Sequence, residues 1–239
     1  MPYRRLPNTD LARLRALRIA FEKGRELPPF KLAFKQSTLQ KVQANLHLFE
    51  RAVQESRQAY NKQVEKGKEY ARQLKKLKLY MSHFIQVTNM AIARGDLSAS
   101  DRDYFGFGHN QSKVPLFNTE NEVIEWGEKL INGETQRLKK GLNPVTNPSI
   151  AIVKVRYETY REAYFFQKIL QKNLQRSQKN LIELRKVIDA IIASIWNEVE
   201  DHYQKMPDEM KRNNAKIYGV VYFYRKSELT TNFQLNLPE

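Results

Sequence analysis

The 239-residue sequence predicts an all-α protein: a four-helix-bundle-like pair of long helical hairpins, with extra short helices and a short C-terminal β-strand. Three observations carry that reading. Two 58-residue stretches, 37–94 and 149–206, place apolar residues at alternating three- and four-residue spacing, the period of one helix face. The first holds a single glycine, Gly67, and the second holds no glycine and no proline. Residues that start or stop helices stand at their ends, with Arg94-Gly95 closing the first and Asn147-Pro148 preceding the second.

In chain order, the segments are 1–36, 37–94, 95–148, 149–206 and 207–239. Residues 9–23 put Leu11, Leu14, Leu17, Ala20 and Phe21 on one face of an amphipathic helix, with Gly24 as its expected stop. "ELPPFKLAF" follows as an extended connector or a short edge strand at Phe30, Leu32 and Phe34. In 37–94 the apolar series runs Leu39, Val42, Leu46, Phe49, Val53, crosses a polar waist, and resumes at Tyr70, Leu74, Leu77, Met81 and Phe84. Residues 95–118 are irregular. "TENE" is then a capping box, Thr119 with Glu122, opening a helix expected to end at Lys140 before Gly141. In 149–206, Asn147 is the expected cap and Pro148 a first-turn residue, although the β-branched opening "SIAIVKVRY" also fits a strand. The tail segment "KIYGVVYFYRK" reads as a strand, pairing with residues 30–35 or with a second copy of the chain.

Whether each long unit folds back turns on Gly67. A basic residue precedes glycine at Lys23-Gly24, Lys66-Gly67, Arg94-Gly95 and Lys140-Gly141, which argues that Gly67 also ends a helix and favours hairpins. Against this, the spacing passes through Ser56, Tyr60, Gln63 and Gly67 in phase, and no capping residue precedes Lys68. The alternative is two very long antiparallel helices, each about 87 Å. A shift of 107 places Leu77 on Leu184, Met81 on Ile188, Phe84 on Ile191 and Ile85 on Ile192, the pattern of a weak internal duplication.

With 41 basic and 26 acidic side chains, the net charge of +15 favours nucleic acid, an anionic surface or an acidic protein as partner. The absence of cysteine excludes disulfides, thiolate metal sites and cysteine nucleophiles. "MPYRRLPNTD" lacks a signal-peptide core, and the longest apolar run, "AIIASIW", is too short for a membrane helix. The expectation is a soluble cytoplasmic protein without membrane association.

The charge concentrates at the two polar waists. On the first are Arg57, Lys62, Lys66, Lys68, Arg72, Lys75, Lys76 and Lys78 against Glu65 and Glu69; on the second are Lys168, Lys172, Arg176 and Lys179 with no acid between 163 and 182. Interleaved amides (Gln58, Asn61, Gln63, Gln167, Gln171, Asn173, Gln175, Gln178 and Asn180) add uncharged hydrogen bonds, a mixture suited to a phosphate backbone. Tyr60 and Tyr70 are base-stacking candidates. Solvated turns would carry similar charge. A weaker constellation for a metal is His47, Glu50, Glu198 and His202, which lacks the Glu-x-x-His pairs of carboxylate-bridged sites. "GFGHNQSK" lacks phosphate-loop spacing, His109 and Ser112 have no identifiable triad partners, and His83 reads as a core-edge histidine.

The stretches "MPYRRLPNTDLARLRAL", "MSHFIQVTNMAIARGDL" and "IIASIWNEVED" resemble uncharacterised conserved helical proteins of Bacteroidetes-type bacteria. That resemblance implies a bacterial helical protein and carries over no activity and no site residue. The sequence reading is therefore a non-enzymatic polyanion binder without cofactor. A protein-interaction module using helical faces and the C-terminal strand is the alternative, and a helical metalloprotein the second.

Overall fold

The structure, a computed structural model, describes residues 3–107 and 113–224. Strand β1 (Tyr3–Arg4) is followed by α1 (Asp10–Glu26), α2 (Gln36–Arg94), α3 (Glu120–Lys139), α4 (Ile150–His202), α5 (Asp208–Ile217) and β2 (Tyr222–Phe223). Short 3-10 turns at Pro29–Lys31 and Ala99–Phe105 complete the regular structure. The all-α class, the short extra helices and the short C-terminal strand are as the sequence predicts, and the two long helices are its alternative to the pair of hairpins.

Of the two packing schemes open to the sequence, the chain takes the continuous one. α2 runs for 59 residues and α4 for 53, and neither folds back at its waist. Gly67 keeps a helical, negative φ; among the described residues the positive-φ glycines are Gly95, Gly106, Gly141 and Gly219. A lone glycine costs a formed helix only about 1 kcal/mol, and restarting at Lys68 without a cap would require a new nucleus.

The chain divides into two compact units, Met1–Ala59 with Leu174–Glu239, and Tyr60–Asn173. In the first, α1, the N-terminal part of α2 and the C-terminal part of α4 enclose Leu17, Val42, Phe49, Ile188, Ile192 and Trp196, all at most 1% exposed. In the second, the rest of α2, α3 and the start of α4 enclose Leu77, Met81, Phe84, Leu130, Val153 and Tyr160, equally buried. The third helix of each core is thus a separate short helix rather than a folded-back arm. The two tetrads related by the 107-residue shift serve different cores: Leu77, Met81, Phe84 and Ile85 the second, and Leu184, Ile188, Ile191 and Ile192 the first.

Several local expectations change. α1 passes through Gly24 and ends at Glu26, where the run Leu27-Pro28-Pro29 cannot continue a helix. Gly24 instead admits Leu39, whose side chain fills the space of a Cβ. Leu11 leaves the apolar face and is 69% exposed. The opening "SIAIVKVRY" is helical, with the Ser149 carbonyl accepting from Val153 N–H, so Asn147 and Pro148 precede the cap. Part of the expected C-terminal strand is α5, whose first turn carries Asp208 and Glu209 after Pro207. The remaining strand, β2, pairs antiparallel with β1, Tyr3 opposite Phe223 and Arg4 opposite Tyr222, and not with residues 30–35. That segment meets the C-terminal region through side chains: Tyr218 accepts from Ala33 N–H at 3.4 Å and packs edge-on against Phe34. His109 and Ser112 lie outside the described residues.

Candidate polyanion-binding face

Within the second unit, α2 turns Tyr70, Leu74, Leu77 and Met81 toward the core. At 100° per residue, Lys68, Arg72 and Lys75 fall on the opposite side, on successive turns, and all three are exposed. Lys62 and Lys76 flank them and are exposed too. α4 runs antiparallel to α2 here, as the Tyr70–Tyr160 contact (5.7 Å between ring centroids) and the Arg156–Tyr80 contact (5.4 Å) show. It adds Lys168 and Lys172, both exposed.

Ion pairing sorts these cations. Lys66 is bound to Glu69 at 3.0 Å, one helical turn away, and that hydrogen bond raises the lysine's pKa and lowers the carboxyl's. Lys168 reaches Glu120 at the start of α3, also at 3.0 Å, and its pKa is raised in the same way. Lys62, Lys68, Arg72, Lys75, Lys76 and Lys172 form no ion pair among the described residues. The site is therefore a row of uncommitted cations beside two committed ones.

The stacking candidates part company. Tyr60 is 55% exposed. Tyr70 lies against Tyr160, and its hydroxyl donates to Glu120. Burial, then that hydrogen bond, pushes its pKa up, and the residue is half-buried. Burial works to raise Glu120, but the hydrogen bonds from Tyr70 and Lys168 outweigh it and hold the carboxyl below the usual range. Gln167 is buried, its Oε1 without a partner and its Nε2 beside Gly67, so it is not a surface amide. Asn61, Gln171 and Asn173 are exposed, and Gln63 is half-buried.

In the first unit, Arg57, Arg176 and Lys179 are exposed and without ion pairs among the described residues, and the amides Gln58, Gln175, Gln178 and Asn180 are exposed. The metal constellation is not assembled. Glu198 caps α2, accepting from Lys35 N–H at 2.7 Å and from the Thr38 hydroxyl at 2.8 Å. His47 lies nine residues beyond Thr38, about 14 Å along the helix. Among the described residues it pairs only with Glu50, at 3.3 Å, and Glu50 also holds Arg18. His202 is exposed and packs edge-on against Tyr203. Among the described residues no group of three or more metal-ligating side chains converges. His83, expected at the core edge, is exposed.

Sequence reasoning missed two charged clusters. Arg137, with no exposed surface, binds Glu134 at 2.6 Å, and Asp101 and the Asn143 carbonyl at 3.2 Å each; Glu134 also accepts from Val145 N–H. Only the three-residue spacing of Glu134 and Arg137 was visible in the sequence. In the first unit, Asp10 accepts from Nε and Nη2 of Arg185 at 2.7 Å each, and Arg13 forks onto Asp189 at 2.7 and 2.9 Å, tying α1 to α4. Among the described residues no helix is long and apolar enough to cross a membrane. Comparison of the chain with protein families, with curated proteins and with solved structures yields no match in any of the three.

Proposed function

We propose that the protein binds a polyanion, a nucleic-acid backbone, through the outward face of α2 in its second unit, with Lys172 of α4 contributing. One observation carries this: Lys62, Lys68, Arg72, Lys75, Lys76 and Lys172 are all exposed and none forms an ion pair among the described residues. Cations three and four residues apart on a helix stand about 5–6 Å from one another. They release counterions on meeting phosphates and read no sequence. Exposed Tyr60 supplies a ring for an unpaired base.

Reversing Lys68, Arg72, Lys75 and Lys172 to Glu abolishes retention of single-stranded RNA or DNA in a mobility-shift assay and leaves far-ultraviolet dichroism unchanged. With all six cations engaged, the logarithm of affinity falls with the logarithm of salt at a slope of about −4. Unchanged retention by the reversed protein would refute the reading.

A second reading, a protein-interaction module, is favoured by α4. Val155, Phe165 and Ile169 are each more than half exposed, and Ile152 and Phe166 are exposed beside them. Affinity purification with and without nuclease separates the two: partners lost with nuclease support the first reading, and partners retained support the second.

A further inference from the structure

The first unit contains an apolar cleft of about 590 Å³ between α1, the end of α4 and the turn after α5. That volume lies within the range of small-molecule sites. Ala16, Ile19, Trp196 and Val220 are among its walls. Gly219 turns the chain at a φ of +84°, where a left-handed backbone favours glycine, and brings it against Ile19. One wall is the face of the β1–β2 ribbon that carries Val221 and Phe223, secured by Arg5 N–H donating to the Val221 carbonyl at 3.0 Å.

The charge around this cleft has one sign. Arg5, Arg15 and Lys216 line it, and among the described residues no acid does. The nearby acids are engaged elsewhere. Glu200 holds Arg4 and the Tyr222 hydroxyl, and Asp10 holds Arg185. Arg5 lies over the Phe223 ring at 5.1 Å, and neither it, Arg15 nor Lys216 forms an ion pair among the described residues. An apolar wall beside three uncommitted cations matches a ligand with an apolar body and one negative head.

We infer that this cleft binds a monoanionic amphiphile of the fatty-acid class, its chain against Trp196 and Ile19 and its carboxylate on Arg15 and Lys216. Apolar burial supplies the attraction and the cations set the polarity of entry, since a charged head stays where it is solvated or paired. This site is separate from the proposed polyanion-binding face and stands or falls independently of it.

The test uses the full chain with Trp126→Phe, which leaves Trp196 as the single tryptophan of the two in the sequence. Titration with monomeric dodecanoate produces a saturable change in Trp196 emission at one ligand per chain. Dodecanol, which lacks the charge, and the Arg15→Glu/Lys216→Glu protein with dodecanoate each bind at least about tenfold more weakly. Ala12→Phe, which fills the cleft, removes the signal while circular dichroism confirms the fold. Reversal of Lys68, Arg72, Lys75 and Lys172 leaves dodecanoate binding intact. Absence of saturation, equal affinity for dodecanol, or full affinity in the Arg15→Glu/Lys216→Glu protein would each overturn the assignment.

Discussion

Gly67, Gly127 and Gly133 all sit inside helices, and their surroundings give their substitutions opposite signs. At Gly67 the nearest atom to an added Cβ is Gln167 Nε2 at 3.6 Å, an ordinary contact. Gly67→Ala therefore stabilises the protein by about 1 kcal/mol through backbone entropy alone. At Gly133 a Cβ would overlap the Tyr104 carbonyl and the Phe105 ring, and at Gly127 the ring of Tyr157. Gly133→Ala is expected to lose about 1–3 kcal/mol as backbone is forced apart. Urea midpoints of the two variants should move in opposite directions; a shared direction would contradict the packing. Arg137 is the other residue whose role is set by its neighbours. Truncating it to Ala leaves Glu134 and Asp101 buried without their cation, a loss of about 3–5 kcal/mol. Replacement by Met leaves the same two acids unpaired while preserving volume, and a loss close to that of Ala assigns the effect to charge rather than to packing. None of these environments is visible in the sequence, because each depends on a residue brought from a different element.

At the scale of elements, helix boundaries were legible where the signal is local. The Thr119–Glu122 capping box forms as read, with both reciprocal hydrogen bonds, and α3 ends within one residue of its expected stop. Gly95 and Gly141 close α2 and α3 at φ of +83° and +73°. Gly24 and Gly67 share the same basic-then-glycine signature but are continued, because a glycine permits a stop without forcing one. α2 begins at Gln36, one residue before the stretch read from the sequence, and what escaped the reading is its capping carboxylate, Glu198, which comes from α4. Glu198→Ala should lower stability by about 1–2 kcal/mol. Thermal unfolding measures this, and an unchanged midpoint would show that Glu198 contributes nothing to the cap. The strand pairing escaped sequence reasoning because two-residue strands carry almost no pattern, and β1 lies at the far end of the chain from β2.

For the whole molecule, the tyrosines set the alkaline limit. Burial first, and then hydrogen bonds, raises the pKa of Tyr157 to about 12 beside Glu128 and of Tyr203 to about 12 beside Tyr218. Tyr70 beside Glu120 and Tyr222 beside Glu200 are raised as well. A phenol whose folded pKa lies above its unfolded value of 10.0 contributes stability that is complete below pH 10 and is lost as pH rises toward about 12. Denaturant midpoints should hold steady near neutrality and decline across that interval, with tyrosinate absorbance lagging behind that of free tyrosine. A midpoint that stays flat through the interval would contradict the burial. The waist cations were legible in the sequence as a cluster, and the structure shows which of them are uncommitted. Lys66 and Lys168 drop out because Glu69 and Glu120 reach them, and the second of those acids lies 48 residues away in the chain.

By itself the sequence determined the helical class, the limits of the two long helical stretches, the capping box and the concentration of positive charge. All of these are properties of neighbours along the chain: periodicity, local capping and composition act over a few turns. Only the tertiary structure decided that Gly67 continues a helix, that Glu198 is a cap and not a metal ligand, that Tyr70 packs inward, and that an apolar cleft rimmed by Arg5, Arg15 and Lys216 exists. Each of those depends on a partner many residues distant, and a sequence records such partners without recording that they meet.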